Sequence, residues 1–457
     1  MSRPQRAVYW MYDLFKLNAS GILSRCDEIL HAIYDSSTKR SPDCEGVPDP
    51  PAVIDRVLRR MELWPSNRTN GSRTSFHGFS LKELSVEFAQ NLARHARLCC
   101  AATNPKCGSC PLVSFCRTGI NTLRLATTHG PVALDAFAGA GGLSAGFIRE
   151  GFPVVLAIEK DRNAAQSYRV NNPGVPVIEA DVRDIRPRDL LPALGCKRGD
   201  ITAVIGGPPC QGFSAAGPRR PMARRNFLYR SLSDIAKAVG ASLLIMENVP
   251  GLKRVNGVGF TKRILQHFRK CGYIGRTIEV DASQFGVPQR RKRLFFVSAR
   301  RETPIALTSL RPVKSKHKPS VSRALRGLPR PRVGNRGNVI RVRGKLVYNH
   351  RAMAHGQDVI RKIRKIKPGE GPISYRRLRV DLAHTLIAGH RAMSVHPREH
   401  RTITVREAAR LQTMPDWFRF LGPHSEQPLQ VANVVPYRLA RALARASLVA
   451  LKENTSL

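Results

Sequence analysis

The sequence predicts an α/β fold: a doubly wound, mostly parallel, Rossmann-like sheet with a small irregular domain and a mostly helical N-terminal extension. From Pro131 onward, short apolar runs alternate with longer amphipathic stretches, which is the spacing of βαβ units. The first run ends in a Gly-rich turn that leads into a helix, as first strands of such sheets do. Before residue 131, apolar residues recur at helical spacing instead.

Seven strands are predicted between residues 131 and 300, a range that we assign to one domain. They are Val132–Phe137, Val154–Glu159, Val175–Ala180, Ala203–Ile205, Ser242–Glu247, Gly275–Val280 and Arg293–Val297. A helix is predicted over Ser144–Arg149, after the first strand. Two more helices, Arg406–Gln412 and Pro436–Ala450, are predicted in residues 401–457, which we expect to return to this domain.

The flanking regions differ from this domain in composition. Residues 1–99 are predicted to form a helical extension, and 119–130 a linker. The two helices predicted in the N-terminal extension are Asp55–Leu63 and Leu81–Leu98. Residues 311–345 carry twelve Lys or Arg and no Asp or Glu, and are rich in Pro and Gly. A disordered basic tail is one interpretation, but ordered-looking sequence follows, which favours an irregular nucleic-acid-contacting domain over 301–400.

The chain of 457 residues is strongly basic. Its 76 Lys and Arg against 33 Asp and Glu give a net charge of +43. This excess argues against basic partners and favours a polyphosphate, because Lys and Arg neutralise phosphates with release of counterions. A charge that serves only solubility is the alternative. No apolar run approaches the roughly 20 residues that span a bilayer, and residues 1–12 contain no secretory signal. We therefore expect a cytoplasmic, nucleoid-associated protein without a membrane partner.

The turn after the first strand can bring a ligand close to the backbone. Residues 137–143 read Phe-Ala-Gly-Ala-Gly-Gly-Leu and lead into a helix N-terminus. Glu159 ends the second strand about twenty residues later, where a carboxylate can accept hydrogen bonds from a ribose diol. Asp181 follows the third strand and can bind an adenine amino group. Either acid taken alone could simply be a surface acid at a strand end. The Gly-rich turn followed in order by the two acids indicates a nucleotide-like cofactor.

Cys210 lies on a Pro-Pro corner directly after the fourth strand. The prolines fix φ, so the thiol is held on a rigid turn at the edge where open α/β sheets bind ligands. A lone cysteine is more often an inert thiol, but this position favours a nucleophile. The loop that follows, 212–226, carries four arginines that can close over a phosphate backbone or simply be solvated.

Two further motifs end or begin predicted strands. Glu247 lies at the end of the fifth strand, and residues 289–293 read Gln-Arg-Arg-Lys-Arg before the last. Taken singly, these are a surface acid and a solvated basic run. An acid and an arginine that converge on the edge that carries Cys210 make a catalytic constellation.

These motifs, in this order, resemble those of the DNA (cytosine-5)-methyltransferase family. Residues 402–412, Thr-Ile-Thr-Val-Arg-Glu-Ala-Ala-Arg-Leu-Gln, resemble the penultimate motif of that family, and 430–436, Gln-Val-Ala-Asn-Val-Val-Pro, resemble its last. The resemblance covers about residues 131–450. The chain departs from the family pattern at Ala432, where Gly is usual, and at Ala223, where the loop usually has an acid.

The resemblance implies an S-adenosylmethionine-dependent methyltransferase domain that acts on a flipped-out cytosine. It implies that Cys210 adds to C6 of the base, that Glu247 contacts the cytosine edge, and that Arg293 orients the base and Glu247. Arg291, Gln211 and Ser214 complete the implied catalytic set. The implied cofactor-binding residues are Phe137, Ala138, Gly139, Gly142, Leu143, Glu159, Lys160, Asp181, Val182, Gly207, Pro208, Asn433 and Val434.

The implied substrate is double-stranded DNA, which a target-recognition domain over 301–400 would read. A monomer is expected, with a cognate restriction endonuclease as a candidate partner. RNA cytosine-5 methylation, as in the tRNA-modifying branch of the family, is the alternative activity. An inactive DNA-binding homologue is a further alternative, although Cys210, Glu247 and Arg293 argue against it.

Four of the ten cysteines form a C-x6-C-x2-C-x5-C motif within residues 100–118. They are Cys100, Cys107, Cys110 and Cys116. The motif resembles the iron–sulfur loop of endonuclease-three-type DNA glycosylases, which implies a [4Fe–4S] cluster. A four-cysteine zinc site or an empty relic is the alternative. The helix-hairpin-helix segment of those glycosylases is not recognisable, so only a DNA-contacting role is expected.

Overall fold

The computed structural model describes most of the chain from residue 130 onward. The described ranges are 130–172, 175–194, 196–209, 227–254, 259–302, 318–334, 339–342, 345–372, 375–387 and 393–455. Upstream, a two-residue antiparallel ladder pairs Ser75–Phe76 with Phe79–Ser80. The predicted N-terminal helices, the linker and the cysteine motif lie outside the described residues.

A sheet of seven strands forms the centre of the described protein. The strands are β1 (Ala133–Ala136), β2 (Val154–Glu159), β3 (Val177–Glu179), β4 (Ala203–Gly206), β5 (Leu243–Asn248), β6 (Tyr273–Asp281) and β7 (Lys292–Arg300). Their order is β3-β2-β1-β4-β5-β7-β6. Strands β1 to β5 are parallel, and β7 is antiparallel to both neighbours. The predicted mostly parallel, doubly wound fold is confirmed.

Ten α-helices accompany the sheet in the described part of the chain. They are α1 (Gly142–Arg149), α2 (Arg162–Asn171), α3 (Pro187–Leu194), α4 (Tyr229–Val239), α5 (Phe260–Lys270), α6 (Val321–Leu325), α7 (Gln357–Lys365), α8 (Val405–Leu411), α9 (Gln427–Asn433) and α10 (Tyr437–Thr455). None of these helices is long and apolar enough to cross a membrane.

Helices cover both faces of the sheet because successive strand residues point in opposite directions. Ile205 packs in the cluster that includes α1, α2 and α10, whereas its neighbour Val204 packs in the cluster with α3, α4 and α5. Helices α1 and α10 approach so closely that a Cβ on Gly146 would lie 2.4 Å from the Cβ of Ala440. The last helix thus packs on the first helix of the sheet domain.

Helix α8 begins with a complete capping box. The Thr404 side chain accepts a hydrogen bond from the backbone N–H of Glu407, whose carboxylate accepts one from the backbone N–H of Thr404. The same carboxylate binds Arg401 through two hydrogen bonds, of 2.7 and 2.8 Å. These contacts explain why Thr and Glu stand three residues apart at the start of α8.

Between the sheet and α8 lies a region of short elements, which we call the irregular segment (described residues 318–334, 339–342, 345–372, 375–387 and 393–401). It contains α6, α7 and the short strands β8 (Arg332–Val333), β9 (Val339–Val342), β10 (Lys345–Tyr348) and β11 (Arg351–Ala352). Strands β9 and β10 form a hairpin, and β8 pairs with β11.

A buried arginine holds the centre of the irregular segment together. The guanidinium of Arg377 donates hydrogen bonds to the backbone carbonyls of Ile363, Ile366, His396 and Glu399, at 2.7 to 3.0 Å. Two of these carbonyls lie at the end of α7, where helix carbonyls lack i+4 partners, and that of Ile363 also accepts the backbone N–H of Ile366 at 3.1 Å. One cation therefore ties the end of α7 to the chain that approaches α8.

Candidate active site

The carboxyl ends of the five parallel strands meet at one edge of the sheet, where ligands of open α/β folds bind. The structure brings most of the predicted site residues to this edge. They are Phe137, Ala138, Gly139, Gly142 and Leu143 after β1; Glu159 and Lys160 at the end of β2; Asp181 and Val182 after β3; Gly207 and Pro208 after β4; and Glu247 in β5.

The turn between β1 and α1 has an unusual backbone. Phe137 and Gly139 have φ of 65° and 56°, and Gly141 has φ of 89°. A Cβ on Gly142 would lie 3.0 Å from the Cβ of Val434, so the turn packs directly against the segment after α9. A Cβ on Gly139 would meet no described atom within 4 Å. The backbone at Gly139 therefore faces an open space that a ligand can occupy.

Glu159 is held at the end of β2 by backbone N–H groups. Gly139 and Asp161 each donate a 2.8 Å hydrogen bond, one to each carboxylate oxygen. Burial raises the pKa of Glu159, while the two backbone donors oppose that shift. Each oxygen keeps a lone pair, so this oriented carboxyl group can still accept a hydroxyl from a ligand.

Asp181 caps the 3-10 helix that begins at Val182 and lies among cations. Its carboxylate accepts two hydrogen bonds from the Arg183 guanidinium, at 2.8 and 2.9 Å, and one of 3.2 Å from Lys160. These bonds, chiefly those of Arg183, hold the pKa of Asp181 well below its usual range. The group is therefore an ionised acceptor near the ends of β2 and β3.

A buried polar chain lies beneath the β1–α1 turn, and we assigned it no role from the sequence. Tyr168 donates to the Ser144 hydroxyl at 2.6 Å, and Ser144 donates to Asp135 Oδ2 at 2.6 Å. The other Asp135 oxygen finds no hydrogen-bond partner among the described residues. Burial raises the pKa of Asp135 to about 7. An acid within an otherwise apolar strand was the signal that could have revealed this chain.

Glu247 and Arg293 form an ion pair at the end of β5. Arg293 Nε lies 2.6 Å from Glu247 Oε1, and the two side chains are 11% and 16% exposed. A Cβ on Gly207 would lie 3.2 Å from Glu247 Oε2, so the chain that leaves β4 passes beside this carboxylate. The acid and the arginine predicted to converge do so, and they lie next to the strand that leads to Cys210.

Arg291 lies beneath this pair rather than in it. It is fully buried, and its guanidinium donates to the carbonyls of Ala432 at 2.7 Å, Val434 at 3.3 Å and Leu386 at 3.4 Å. Burial, together with nearby Arg293, lowers the pKa of Arg291. This arginine thus connects β7 to the irregular segment and to the end of α9.

The remaining predicted residues divide into two groups. Asn433 is exposed at the last position of α9, and Val434 is buried against Gly142. Cys210, Gln211 and Ser214, and the four cysteines of the predicted cluster, lie outside the described residues.

Comparison with known proteins agrees with this geometry. A family model described as C-5 cytosine-specific DNA methylase matches residues 133–448. The type II methyltransferase M.DdeI of Desulfomicrobium norvegicum is 32% identical over 365 residues, which cover 68% of this chain and 87% of that protein. M1.HphI of Haemophilus parahaemolyticus is 34% identical over 340 residues, which cover 71% of this chain and 87% of that protein.

A solved structure is similar as well. One crystal structure, described as that of a DNA modification methyltransferase encoded within a prophage of E. coli, aligns with this chain with a TM-score of 0.61 and 26% sequence identity. The alignment covers 71% of this chain and 100% of that one. The family match begins at residue 133, so residues 1–132 lie outside it. The chain belongs to the C-5 cytosine-specific DNA methylases, which methylate C5 of cytosine in DNA with S-adenosylmethionine as the methyl donor.

Proposed function

We propose that this enzyme methylates cytosine within a short specific sequence of double-stranded DNA, with Cys210 as its nucleophile. The observation that carries the proposal is the Glu247–Arg293 pair beside Gly207. Cys210 follows Gly207 by three residues in the sequence, after two prolines that restrict the chain. A nucleophile, an acid and an arginine are thus assigned to one edge of the sheet.

The residue types suit the chemistry of cytosine. C5 of an aromatic pyrimidine is too weak a nucleophile to attack an alkyl donor directly. Addition of the Cys210 thiolate to C6 forms an S–C6 bond and makes C5 enamine-like, so C5 can form the new carbon–carbon bond. Loss of the C5 proton then restores the C5–C6 double bond, and the S–C6 bond breaks to release the thiolate. S-adenosylmethionine, when bound, would supply the electrophilic methyl group: its sulfur–methyl bond would break as the bond to C5 forms, with S-adenosylhomocysteine as the leaving group.

Glu247 and Arg293 stabilise the charge that develops on the ring. The Glu247 carboxyl group contacts N3 and the exocyclic amine of the flipped base. Arg293 fixes that carboxyl group through its 2.6 Å contact and adds a positive field that favours a thiolate nearby. Because both side chains are shielded from water, their electrostatic effect on the base is stronger than in bulk solvent.

The donors at the β1 to β3 ends fit S-adenosylmethionine. Glu159 is oriented to accept a ribose hydroxyl, and the ionised Asp181 can accept the adenine amino group. The backbone at Gly139 has open space beside it, and Phe137, Ala138 and Leu143 of the same turn are assigned to the cofactor site. Val182, Lys160, Pro208, Asn433 and Val434 are assigned to the rim of the same site.

We infer that the irregular segment is part of a target-recognition domain over residues 301–400. Its helix α7 presents four exposed cations within two turns: Arg361, Lys362, Arg364 and Lys365. Cations spaced in this way contact phosphates, which position the protein, while base-edge contacts elsewhere in the domain give specificity. The type II designation of the relatives supports a cognate restriction endonuclease as a partner. We infer that one chain acts as a monomer.

For the N-terminal part we propose a [4Fe–4S] cluster bound by Cys100, Cys107, Cys110 and Cys116, on the strength of their spacing. Anaerobically purified protein should contain about four iron and four sulfide per chain, as the cluster formula requires. Substitution of Cys107 by Ser should abolish both. Zinc in place of iron would identify the four-cysteine zinc alternative.

The test of the proposed activity is bisulfite sequencing of DNA from a methylation-free host that expresses the protein. We expect methylcytosine in one short sequence context, and none with Cys210→Ser. Glu247→Gln should lower the methylation rate by about 10²-fold or more, because the developing charge loses its partner.

Soluble, cofactor-binding protein that leaves DNA unmethylated would contradict the proposal. Methylated RNA from the same host would then identify the RNA activity. The absence of both modifications would identify an inactive DNA-binding homologue.

A further inference from the structure

A second group of ligand-type side chains lies within the helical layer, on the face of the sheet that α4 and α5 cover. Asp234 belongs to α4, His267 to α5, and Cys271 is the C-terminal cap of α5. One carboxylate oxygen, one imidazole nitrogen and one sulfur atom from these residues all lie within 4.8 Å of one another. Methylation of cytosine makes no use of them.

The spacing within this group suits a bound ion. His267 and Cys271 are four residues apart at the end of α5, which places their side chains on one face. The His267 Nε2 to Cys271 Sγ distance is 3.8 Å. Tetrahedral zinc, with bonds of about 2.0 Å to nitrogen and 2.3 Å to sulfur, needs a separation of about 3.5 Å between those ligands. A shift of a few tenths of an ångström therefore brings this nitrogen and this sulfur to the separation that zinc needs.

The imidazole is already oriented by its neighbours. The Tyr229 ring meets the His267 ring edge to face, with centroids 5.5 Å apart. Tyr229 in turn packs edge to face on Phe268, with centroids 6.4 Å apart, so the ring rests on the core between α4 and α5. A ligand with a fixed ring loses little side-chain entropy when it binds an ion.

We propose that Asp234, His267 and Cys271 bind one zinc-type transition-metal ion, with water at the fourth position. The mixture of oxygen, nitrogen and sulfur decides the class of ion, since Mg²⁺ and Ca²⁺ prefer oxygen ligands alone. A carboxylate and a thiolate neutralise the two charges of the ion.

The position of the site suggests what the ion does. Helix α4 precedes β5 in the chain and α5 follows it, and β5 carries Glu247. An ion bound by Asp234, His267 and Cys271 would link α4 to α5, the helices that come before and after that strand in the sequence. Because the unfolded chain does not hold the three ligands together, binding stabilises the folded protein.

The experiment compares full-length wild-type protein with Cys271→Ser and Asp234→Asn. Cys196→Ser is the matched control, because Cys196 is the other cysteine in the described part of the chain and is also half-buried. After dialysis against zinc, we expect one zinc fewer per chain in Cys271→Ser than in wild type and in the control. Other metal-binding cysteines are common to all variants, so their contribution cancels.

Two further readouts guard against misfolding. Zinc should raise the midpoint of thermal unfolding in wild type and Cys196→Ser, and raise it less in Asp234→Asn, whose substitution is at an exposed position. Cobalt in place of zinc should give a thiolate-to-metal charge-transfer band. In Cys271→Ser the intensity of this band should fall by the contribution of one thiolate, while an unchanged circular dichroism spectrum shows that the variant is folded. Equal zinc content, equal thermal shifts and equal cobalt spectra in all variants would overturn the proposal.

Discussion

The sheet and the irregular segment hold together by different means. In the sheet, neighbouring residues such as Val204 and Ile205 bury apolar side chains on opposite faces, and the helices cover both. In the irregular segment, Arg377 donates to four backbone carbonyls, two at the end of α7 and two in the chain before α8. The comparison shows that buried guanidinium groups can replace a regular hydrogen-bond ladder where strands are only two to four residues long.

The same device recurs where the irregular segment meets the rest of the protein. Arg406 of α8 is fully buried and donates to the carbonyls of Tyr348, Pro415 and Phe418. An arginine has five donors in a rigid fork, so one side chain can satisfy several carbonyls that no strand would reach. Arginine thus has a second use in this basic chain, beside phosphate binding.

The largest expected effect comes from removal of Arg406. Arg406→Met has a similar length but removes the guanidinium from three carbonyls, and of these the Pro415 carbonyl still accepts the backbone N–H of Phe418. We expect a loss of about 3–5 kcal/mol in unfolding free energy. Denaturant unfolding measures this loss. Arg398→Met, at an exposed position of the irregular segment, is the control and should change stability by less than about 0.5 kcal/mol. Equal midpoints for the two variants would show that the carbonyls find other partners.

This difference also explains how far the sequence could predict the structure. All seven strands were predicted, and β2 has the predicted bounds, because apolar runs and turn residues are local signals. The bonds of Arg291 to Leu386 and Val434 join residues about a hundred or more positions apart, so no local pattern reveals them. The Glu247–Arg293 pair was predicted through strand ends and motif order, but its distance comes only from the structure.

The next effect tests the boundary between the two regions. Arg291→Met removes the donor that joins β7 to Leu386 and to the Ala432–Val434 turn against Gly142. We expect the methylation rate to fall by about 100-fold, with weaker cofactor binding, because an ångström-scale shift misaligns the site. Initial methylation rates and equilibrium binding of S-adenosylmethionine measure this.

The control for this prediction is Lys292→Met, because Lys292 is the exposed next residue, at the start of β7. Its cofactor affinity should match that of the wild type. Loss of cofactor affinity in both variants would show that β7 tolerates no substitution here. Unchanged affinity in Arg291→Met would show that the turn is held without the arginine.

A smaller effect concerns the acid buried in the sheet region. The pKa of Asp135 is raised to about 7, so the folded protein keeps a proton that the unfolded chain releases near pH 4. Stability therefore falls as pH rises from about 4 to about 7, by at most about 1.4 kcal/mol per pH unit from this group. Asp135→Asn should remove that slope, which thermal or denaturant unfolding across this range measures. Asp184→Asn, at an exposed acid, should keep the slope of wild type.

The smallest expected effect on stability compares close packing with ion pairing at the contact between α1 and α10. Glu150, at the C-terminal cap of α1, binds Arg441 and Arg445 of α10, and Arg445 is 59% exposed. Since water screens such pairs, Glu150→Gln should cost less than about 1 kcal/mol. Gly146→Ala at the same contact should cost more, because its Cβ would lie 2.4 Å from Ala440 and force the helices apart. The reverse order of losses would mean that ion pairs, rather than close packing, fix α10 on the sheet.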